Sequence, residues 1–320
     1  MTATTYRHIF GPVLSRRLGR SLGVDIIPFK TCTYDCIYCE QGRTTNLTVS
    51  RMQYVPVDDV LSELEDFLSS HSTPDYVTIS GAGEPTLHDG IGRIITAIKR
   101  LTKIPVAVIT NGSLLWERTV REALQDADVV LPSLDAGNEH LFRTIDRPVN
   151  GISFEQMISG LIDFRQSFSN QIWLEVMLVA GLNSAESEVR EIAKLVGRIG
   201  PDRVHLNTVV RPPSESFALP VYRDQLESLA EMFNPRGEII VDCSAPVPED
   251  GLAPEVARIL ELLERRPCPA AEITSALGLR PVETLKLLES LLLQKKVVER
   301  RFGAETFFTA APKCERGADR

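Results

Sequence analysis

Long hydrophobic runs are absent from this chain of 320 residues, in which no stretch approaches the ~20 apolar residues of a membrane span. The first residues also lack the apolar core of a secretory signal peptide. Cysteine is scarce, and a total of 6 does not make a disulfide scaffold in a chain of this size. These absences predict a cytoplasmic protein with reduced thiols and no membrane partner.

An excess of positive charge is also missing. The net charge is −8, which argues against a whole-protein electrostatic hold on nucleic acid, because phosphate binding depends on Lys and Arg. The charge is uneven, however, since residues 252–320 contain 12 Lys and Arg against 10 Asp and Glu. Local contact with RNA therefore stays open for the cations of that segment, in particular Lys295, Lys296, Arg300 and Arg301.

Half of the cysteines lie close together. Cys32, Cys36 and Cys39 form a C-x3-C-x-aromatic-C pattern directly after the apolar run Val24–Phe29. Thiolates spaced this closely are typical ligands of iron–sulfur clusters. No further cysteine occurs before Cys243, so a cluster of four irons would keep one iron open for reaction. The alternatives are a structural zinc site, for which the loop offers no histidine, or three ordinary buried thiols.

This loop resembles the radical S-adenosylmethionine (SAM) superfamily. The resemblance implies a [4Fe–4S] cluster held by Cys32, Cys36 and Cys39, with SAM bound at the open iron. It also implies that one electron cleaves SAM to a 5′-deoxyadenosyl radical, which abstracts hydrogen from the substrate. A one-electron donor such as flavodoxin or ferredoxin would supply the electron.

The apolar pattern predicts the fold. From Val24 onward, strand-like runs alternate with helix-like segments, which is typical of βα units around a parallel sheet. The predicted strands are Val24–Phe29, Tyr76–Ser80, Val106–Thr110, Val129–Leu134, Ile172–Val179 and Val204–Val209, with an edge strand at Glu238–Cys243. The predicted helices are Val57–Ser70, Gly90–Leu101, Trp116–Gln125, Phe154–Phe168 and Ser187–Ile199. About six units predict an α/β fold over residues 1–246, a partial (β/α)6 TIM-like open barrel.

Polar residues collect where these strands end, at the rim that binds ligands in parallel α/β proteins. The glycine-rich turn Ser80–Pro85 resembles the GEP-type motif that binds the SAM amino group in the family, and its residues would be Gly81, Gly83, Glu84 and Pro85. Later strand ends resemble further family motifs that contact SAM, at Asn111, Ser133, Asp135, Val179 and Asn183. Asp135 would accept hydrogen bonds from the ribose hydroxyls of SAM. For Asn111 and Ser133, turn and helix-cap roles are the alternative.

Several other polar residues carry weaker hypotheses. Glu175 lies within an apolar strand and must be paired or face a polar interior. His205 and Asn207 share one strand face and could contact substrate, although most single histidines are structural. Arg16, Arg17 and Arg20 could contact a phosphate or carboxylate group or form a solvated face. Lys30 could lie at the mouth of the site or be solvated, and Arg211 at a strand end could pair with a carboxylate or phosphate.

The pattern changes after residue 243. Residues 244–254 have the composition of a linker. Predicted helices and a hairpin with its turn at Gly303 then follow, namely Glu255–Arg265, Ala270–Leu277, Pro281–Gln294 and Val297–Phe308. This succession resembles a winged helix-turn-helix domain over residues 252–310, with a flexible tail at 311–320. Its charges are mixed, which disfavours DNA and leaves RNA or peptide binding open. Cys243, Cys268 and Cys314 are too scattered to indicate a second cluster.

One branch of the superfamily is similar over a longer stretch. Gly11–Pro12, Arg16–Asp25 and Lys30–Cys32 resemble the wyosine-base (tRNA imidazoguanosine) synthases. Those enzymes carry an additional upstream cysteine set, whereas residues 1–31 here contain none, so the resemblance does not extend to a second cluster. Three hypotheses follow: a radical SAM enzyme that modifies RNA, one that modifies a protein or peptide docked on the winged-helix domain, and a non-catalytic iron–sulfur DNA-binding sensor.

Overall fold

The computed structural model describes residues 6–71, 73–211, 213–240, 253–265, 268–277, 279–302 and 305–311. The chain divides into two compact units, residues 1–10 with 15–244 and residues 11–14 with 245–320. Cys243, Cys314, Gly303, residues 244–252 of the predicted linker and residues 312–320 of the predicted tail lie outside the described residues. The predicted domain boundaries at 246, 252 and 310 stay predictions.

The strands, in chain order, are β1 (Ile9–Ser15), β2 (Gly19–Val24), β3 (Thr31–Cys32), β4 (Asn46–Leu47), β5 (Tyr76–Ile79), β6 (Val106–Thr110), β7 (Val129–Pro132), β8 (Gln171–Leu178), β9 (Arg203–Thr208), β10 (Gly237–Ile239), β11 (Cys268–Pro269), β12 (Val297–Phe302) and β13 (Glu305–Ala310). The α-helices are α1 (Val57–Ser70), α2 (Ile91–Leu101), α3 (Arg118–Ala123), α4 (Glu139–Ile145), α5 (Phe154–Ser167), α6 (Glu186–Ile199), α7 (Arg223–Ala230), α8 (Ala253–Arg265), α9 (Ala270–Leu277) and α10 (Pro281–Leu293). Within the described ranges, no helix is both long enough and apolar enough to cross a membrane.

The larger unit is built on an open sheet with the order β1-β2-β5-β6-β7-β8-β9-β10. Every pairing from β2 to β10 is parallel. A parallel strand needs a long crossover, which the intervening helices provide. The predicted α/β fold with a mostly parallel sheet is therefore confirmed, and its strand ends share one rim.

The first predicted strand is wrong. The sheet strand β2 ends at Val24, where the predicted strand begins. The Asp25 carboxylate accepts a hydrogen bond from the Ile27 amide at 3.2 Å, and Pro28 has no amide hydrogen to donate to a ladder. The chain therefore turns away from the sheet although Ile26 and Ile27 are buried. The sequence analysis also did not predict β1, α4 or α7.

Alternate residues of the sheet enter two different cores. Val108, Val130 and Leu174 belong to the main core, which includes the buried faces of the helices. Ala107, Leu131, Trp173 and others form a second cluster with Leu18, which lies in the turn between β1 and β2. We call the side of the sheet that carries this second cluster the inner face. Arg16 and Arg17 precede Leu18 in the same turn, which brings them to the inner face as well.

The smaller unit has its own core. A three-stranded sheet with the order β11-β13-β12 accompanies α8, α9 and α10, and the apolar core includes Ile259, Leu263, Ile273, Leu287 and Leu291. β12 is an edge strand and pairs antiparallel with β13. The predicted succession of three helices and a hairpin agrees with these elements.

Candidate active site

The three cysteines lie on one loop that leaves the sheet after β2. β3 and β4 form a short parallel pair at its base. The backbone amides of Asp35 and Ile37 donate to the carbonyls of Asp146 and Ile145 at 3.0 and 2.9 Å. The loop is thereby fastened to the end of α4, and Cys32, Cys36 and Cys39 are each half-buried.

Lys30 is part of this loop and is not a solvated cation. Its side chain is buried, its φ is 61°, and its Nζ donates to the Gly42 carbonyl. The same Nζ lies 3.4 Å from Cys39 Sγ. No carboxylate of the described residues forms an ion pair with Lys30, and a buried cation requires a compensating partner. Thiolate ligands of an anionic iron–sulfur cluster would provide that partner.

Burial disfavours ionisation of two of these thiols. Burial, with a contribution from Glu84, raises the pKa of Cys32 to about 12. Burial also raises the pKa of Cys36, whose Sγ lies 3.7 Å from Asp146 Oδ1. Iron must therefore displace protons when it binds.

A single metal ion is a poorer fit than a cluster. Across the described ranges, no three His, Cys, Asp or Glu side chains converge as ligands of one ion. A four-iron cluster distributes its thiolates over separate irons. Three thiols on one loop beside a buried ammonium are therefore a donor set that fits a [4Fe–4S] cluster.

The glycines of the turn after β5 are required by close chain packing. A Cβ atom on Gly83 would lie 2.0 Å from the carbonyl oxygen of Thr31, and one on Gly81 would lie 2.2 Å from the carboxyl group of Asp25. The amide of Glu84 donates to the same Thr31 carbonyl at 3.1 Å. The turn is thus held directly against the cysteine loop, and its glycines face protein atoms.

Glu84 fastens neighbouring strand ends together. Its buried carboxylate accepts hydrogen bonds from Thr86 N at 2.9 Å, Thr86 Oγ1 at 2.5 Å, Thr110 Oγ1 at 2.6 Å and Asn111 N at 2.7 Å. Burial raises the pKa of Glu84, although these hydrogen bonds favour the charged form. Pro85 begins a 3-10 turn, Pro85–Leu87, that Glu84 caps. The Glu84 side chain therefore organises the site from within.

Asn111 and Ser133 are placed differently. The amide Nδ2 of Asn111 donates to Thr33 Oγ1 at 2.7 Å and lies 3.6 Å from Cys32 Sγ, while its Oδ1 accepts from Ser113 N at 3.0 Å. Ser133 is half-buried, and its hydroxyl makes no hydrogen bond to any of the residues the structure describes. Asn111 thus supports the cysteine loop, whereas the Ser133 hydroxyl is available to a ligand.

Asp135 connects the cysteine motif to β8. Tyr38, the aromatic residue of the motif, donates its hydroxyl hydrogen to the Asp135 carboxylate, which also accepts from Met177 N at 2.7 Å. Asn183 donates to the carbonyls of Asp135 and Met177 at 2.7 and 2.8 Å and accepts from Val179 N at 2.7 Å. Burial raises the pKa of Asp135 to about 7. The structure assembles these predicted residues as a buried network, and their contact with SAM stays a prediction.

A second polar group lies on the inner face. Glu175 accepts from the Arg17 guanidinium and from Asn207 Nδ2 at 2.9 Å, and Arg16 Nη1 donates to Asn207 Oδ1 at 3.3 Å. Burial raises the pKa of Glu175, but the charge of Arg17 and the hydrogen bonds from Asn207 and Arg17 have a larger effect. The pKa of Glu175 is therefore lowered overall. The expected partner of Glu175 is therefore Arg17, and the solvated interpretation of Arg16 and Arg17 is wrong. Arg211 pairs instead with Glu40 of the cysteine loop.

His205 makes stability depend on pH. Burial lowers its pKa from 6.5 to about 4, so the unfolded chain takes up a proton first as the pH falls from about 6.5 towards about 4. Each unit of pH in that window costs about 1.4 kcal/mol of unfolding free energy. We expect wild-type protein to lose about 2 kcal/mol more than His205→Gln between about pH 7.5 and about pH 5, as measured by denaturant unfolding. Equal losses in the two proteins would contradict this assignment.

Comparisons with known proteins show the family to which this chain belongs. The radical SAM superfamily matches residues 26–196. A "UPF0026 protein" of Helicobacter pylori is 34% identical over 307 residues, which cover 94% of this chain and 97% of that protein. A protein of Brachyspira hyodysenteriae named "GTPase Obg" is 44% identical over 236 residues, or 74% of this chain, but the chain spans only 35% of that protein's length.

Two further comparisons are more distant. A "probable dual-specificity RNA methyltransferase RlmN" of Microcystis aeruginosa is 27% identical over 173 residues, covering 52% of this chain and 49% of that protein. The solved structure of "native anSMEcpe with bound AdoMet" matches 67% of this chain and 59% of that chain with a TM-score of 0.50 and 14% identity, which supports the fold alone. The family match spans more than half of the chain, so this protein belongs to the radical SAM superfamily and is a radical SAM enzyme whose cofactors are a [4Fe–4S] cluster and SAM.

Proposed function

We propose that this radical SAM enzyme modifies RNA, with Cys32, Cys36 and Cys39 as the cluster ligands. When bound, the cluster and SAM supply one-electron cleavage of the sulfonium and abstraction of hydrogen from the substrate. Lys30 compensates the charge at the cysteine loop, and Glu84 and Asp135 hold the surrounding strand ends in place. A one-electron donor such as flavodoxin or ferredoxin completes the system. Because the family is enzymatic, the sensor hypothesis is not retained.

Four cations of the smaller unit carry the RNA proposal. Lys295, Lys296, Arg300 and Arg301 are exposed, on edge strand β12 and the turn before it. No ion pair within the described part of the chain engages any of the four. Exposed cations that lack protein partners are suited to phosphates. The proposal treats the smaller unit as a winged-helix domain with β12 and β13 as its wing.

Two other observations bear on the proposal. The RlmN relative is named as an RNA methyltransferase, which supports RNA as the substrate class. The resemblance of Arg16–Asp25 to wyosine-base synthases stays a prediction. Arg16 and Arg17 bond to side chains of the inner face, so we assign RNA surface contact to the smaller unit and not to that stretch.

Salt dependence tests the proposal. We expect a labelled bulk tRNA to bind the intact protein with an affinity that falls steeply with salt, because each neutralised phosphate releases counterions. Replacing Lys295, Lys296, Arg300 and Arg301 together by alanine should reduce the magnitude of the slope of log K against log salt by about 2.8 to 3.6, given a slope of ~0.7–0.9 per contact. Fluorescence anisotropy over a salt series measures both quantities.

A matched variant makes the result specific. Arg118, Arg143, Arg190 and Arg223 are exposed cations of the larger unit that pair with a carboxylate one helical turn away. Their replacement by alanine removes the same charge and should leave the slope nearly unchanged. If both quadruple variants lowered the slope equally, or if tRNA did not bind, the RNA proposal would be abandoned in favour of a peptide substrate.

A further inference from the structure

We propose that Arg17 provides an anion-binding edge on the inner face, which holds a carboxylate or phosphate group of the substrate. The guanidinium uses Nη1 to donate to Glu175, whereas Nε is buried and has no hydrogen-bond partner among the described residues. Nη2 likewise makes no hydrogen bond to the residues that the structure describes. The Nε and Nη2 edge of a guanidinium matches carboxylate and phosphate oxygens in a bidentate arrangement.

His205 supplies an independent observation. Its side chain is 2% exposed, and its Nδ1 is also buried, with no hydrogen-bond partner in the described part of the chain. β8 and β9 place His205 in register with Glu175, so both side chains lie on the inner face. Buried polar atoms nearly always have partners, and the described residues contain few exceptions. Two of these exceptions lie on one face, which points to a ligand group there, and His205 could donate to it through an Nδ1–H tautomer.

Two carboxylates lie on this face, and each is paired with an arginine: Glu175 with Arg17, and Glu238, which lies 4.0 Å from His205, with Arg203 at 3.6 Å. Glu175 is engaged by Arg17 and Asn207, and the charge of Arg16 acts on it as well. The ion pair also fixes the Arg17 guanidinium in one orientation, so that little rotamer freedom is lost when a ligand binds the remaining edge.

The location suits a substrate anchor and deepens the proposed function, on which it rests. Asp135 contacts both Tyr38 of the cysteine motif and the amide of Met177. Glu175 precedes Met177 by two residues on the same strand face, a distance of about 7 Å along the strand. The anionic group of a substrate bound to Arg17 therefore lies near Glu175. This position is two strand residues from Met177, where the Tyr38–Asp135 contact joins the cysteine motif to the sheet.

Direct titration of the intact protein tests the inference. The chain has 2 tryptophans, and a Trp116→Phe background leaves Trp173 as the only reporter, with its ring 5.5 Å from that of His205. Inorganic phosphate, acetate and the neutral analogue acetamide are titrated separately by fluorescence and calorimetry. We expect saturable binding of at least one anion and none of acetamide. Preference for phosphate indicates a phosphate anchor, and preference for acetate indicates a carboxylate anchor.

The key variant is Arg17→Lys, which keeps an ion pair with Glu175 but removes the Nε and Nη2 edge of the guanidinium. It should bind the preferred anion at least about 10-fold more weakly while unfolding at a similar temperature. The double variant Arg17→Met with Glu175→Met removes both charges together, which avoids a buried unpaired carboxylate, and should not bind the anion. Arg165→Met removes a half-buried arginine paired with Asp202 at 2.9 Å and should bind the anion like wild type.

The outcomes separate this inference from the proposed function. Absence of anion binding to wild type, or wild-type binding by Arg17→Lys and the double variant, overturns the anion site. RNA-dependent formation of 5′-deoxyadenosine from SAM is measured on the same preparations. Its presence without anion binding would retain the proposed function alone, and anion binding without RNA dependence would retain the site alone.

Discussion

A Cys36→Ala variant, prepared anaerobically and supplied with iron and sulfide, is expected to hold no cluster and to form no 5′-deoxyadenosine from SAM. Cys32 and Cys39 alone leave two thiolates on the loop, and no other cysteine of the described residues belongs to it. Loss of a residue that only hydrogen-bonds to a metal ligand already lowers metal affinity or activity ~10–100-fold. Loss of a ligand itself should lower both further. Iron and sulfide content, visible absorption and chromatography of the nucleoside product are the measurements.

The matched control is Cys268→Ala. Cys268 is buried in the core of the smaller unit, so its replacement tests the loss of a thiol without changing the loop. We expect full cluster loading and SAM cleavage by Cys268→Ala, with at most a modest loss of stability in the smaller unit. Normal iron content in Cys36→Ala would overturn the assignment of the cluster ligands.

The sequence was sufficient where the signal is local. Cys32, Cys36 and Cys39 lie within eight residues, and their spacing alone predicts a shared centre. Helix α1 has the predicted bounds Val57–Ser70 because its apolar residues repeat with the helical period and become its buried face. The common location of the polar residues at strand ends was predictable from topology, since parallel strands bring their carboxyl ends to one rim. The contact of these residues with SAM stays a prediction.

Contacts across the chain were not predictable. Arg17 and Glu175 are 158 residues apart, and Tyr38 and Asp135 are 97 apart. No local pattern identifies such pairs, although an acidic residue in an apolar strand does indicate that a partner exists. Asp146, which contacts Cys36, also had no local signal. Lys30 was ambiguous because only the folded loop shows that its ammonium is buried.

The misplaced first strand has a different cause. Ile26 and Ile27 are as buried as strand residues, and a short apolar run does not show whether its backbone joins a ladder. The strand that does join it, β2, contains two glycines and an arginine. Gly23 is needed there because a Cβ atom would lie 2.0 Å from the ring of Phe10. Packing has therefore selected residues that are unfavourable for a strand by propensity alone.

The Glu84 side chain supports both the fold and the candidate site, so its removal should lower stability and cluster loading together. Glu84→Ala leaves the buried donors of Thr86, Thr110 and Asn111 without their acceptor. An unsatisfied buried donor costs about 1–3 kcal/mol. The costs do not simply add, because burial of the carboxylate is itself unfavourable, as its raised pKa shows. We expect the unfolding free energy to fall by about 3–5 kcal/mol, as measured by denaturant titration.

Glu84→Gln separates the two consequences. The amide keeps the shape and one acceptor oxygen. Glu84→Gln should therefore lose only about 1–2 kcal/mol of unfolding free energy, which is less than Glu84→Ala loses. Because Glu84 N bonds to Thr31 O and Asn111 lies against Cys32, cluster loading should follow the same order, with wild type above Gln and Gln above Ala. If Glu84→Ala loaded iron and sulfide like wild type in native protein, the strand-end network would be a stability element only. The site would then depend on the cysteine loop and Lys30 alone.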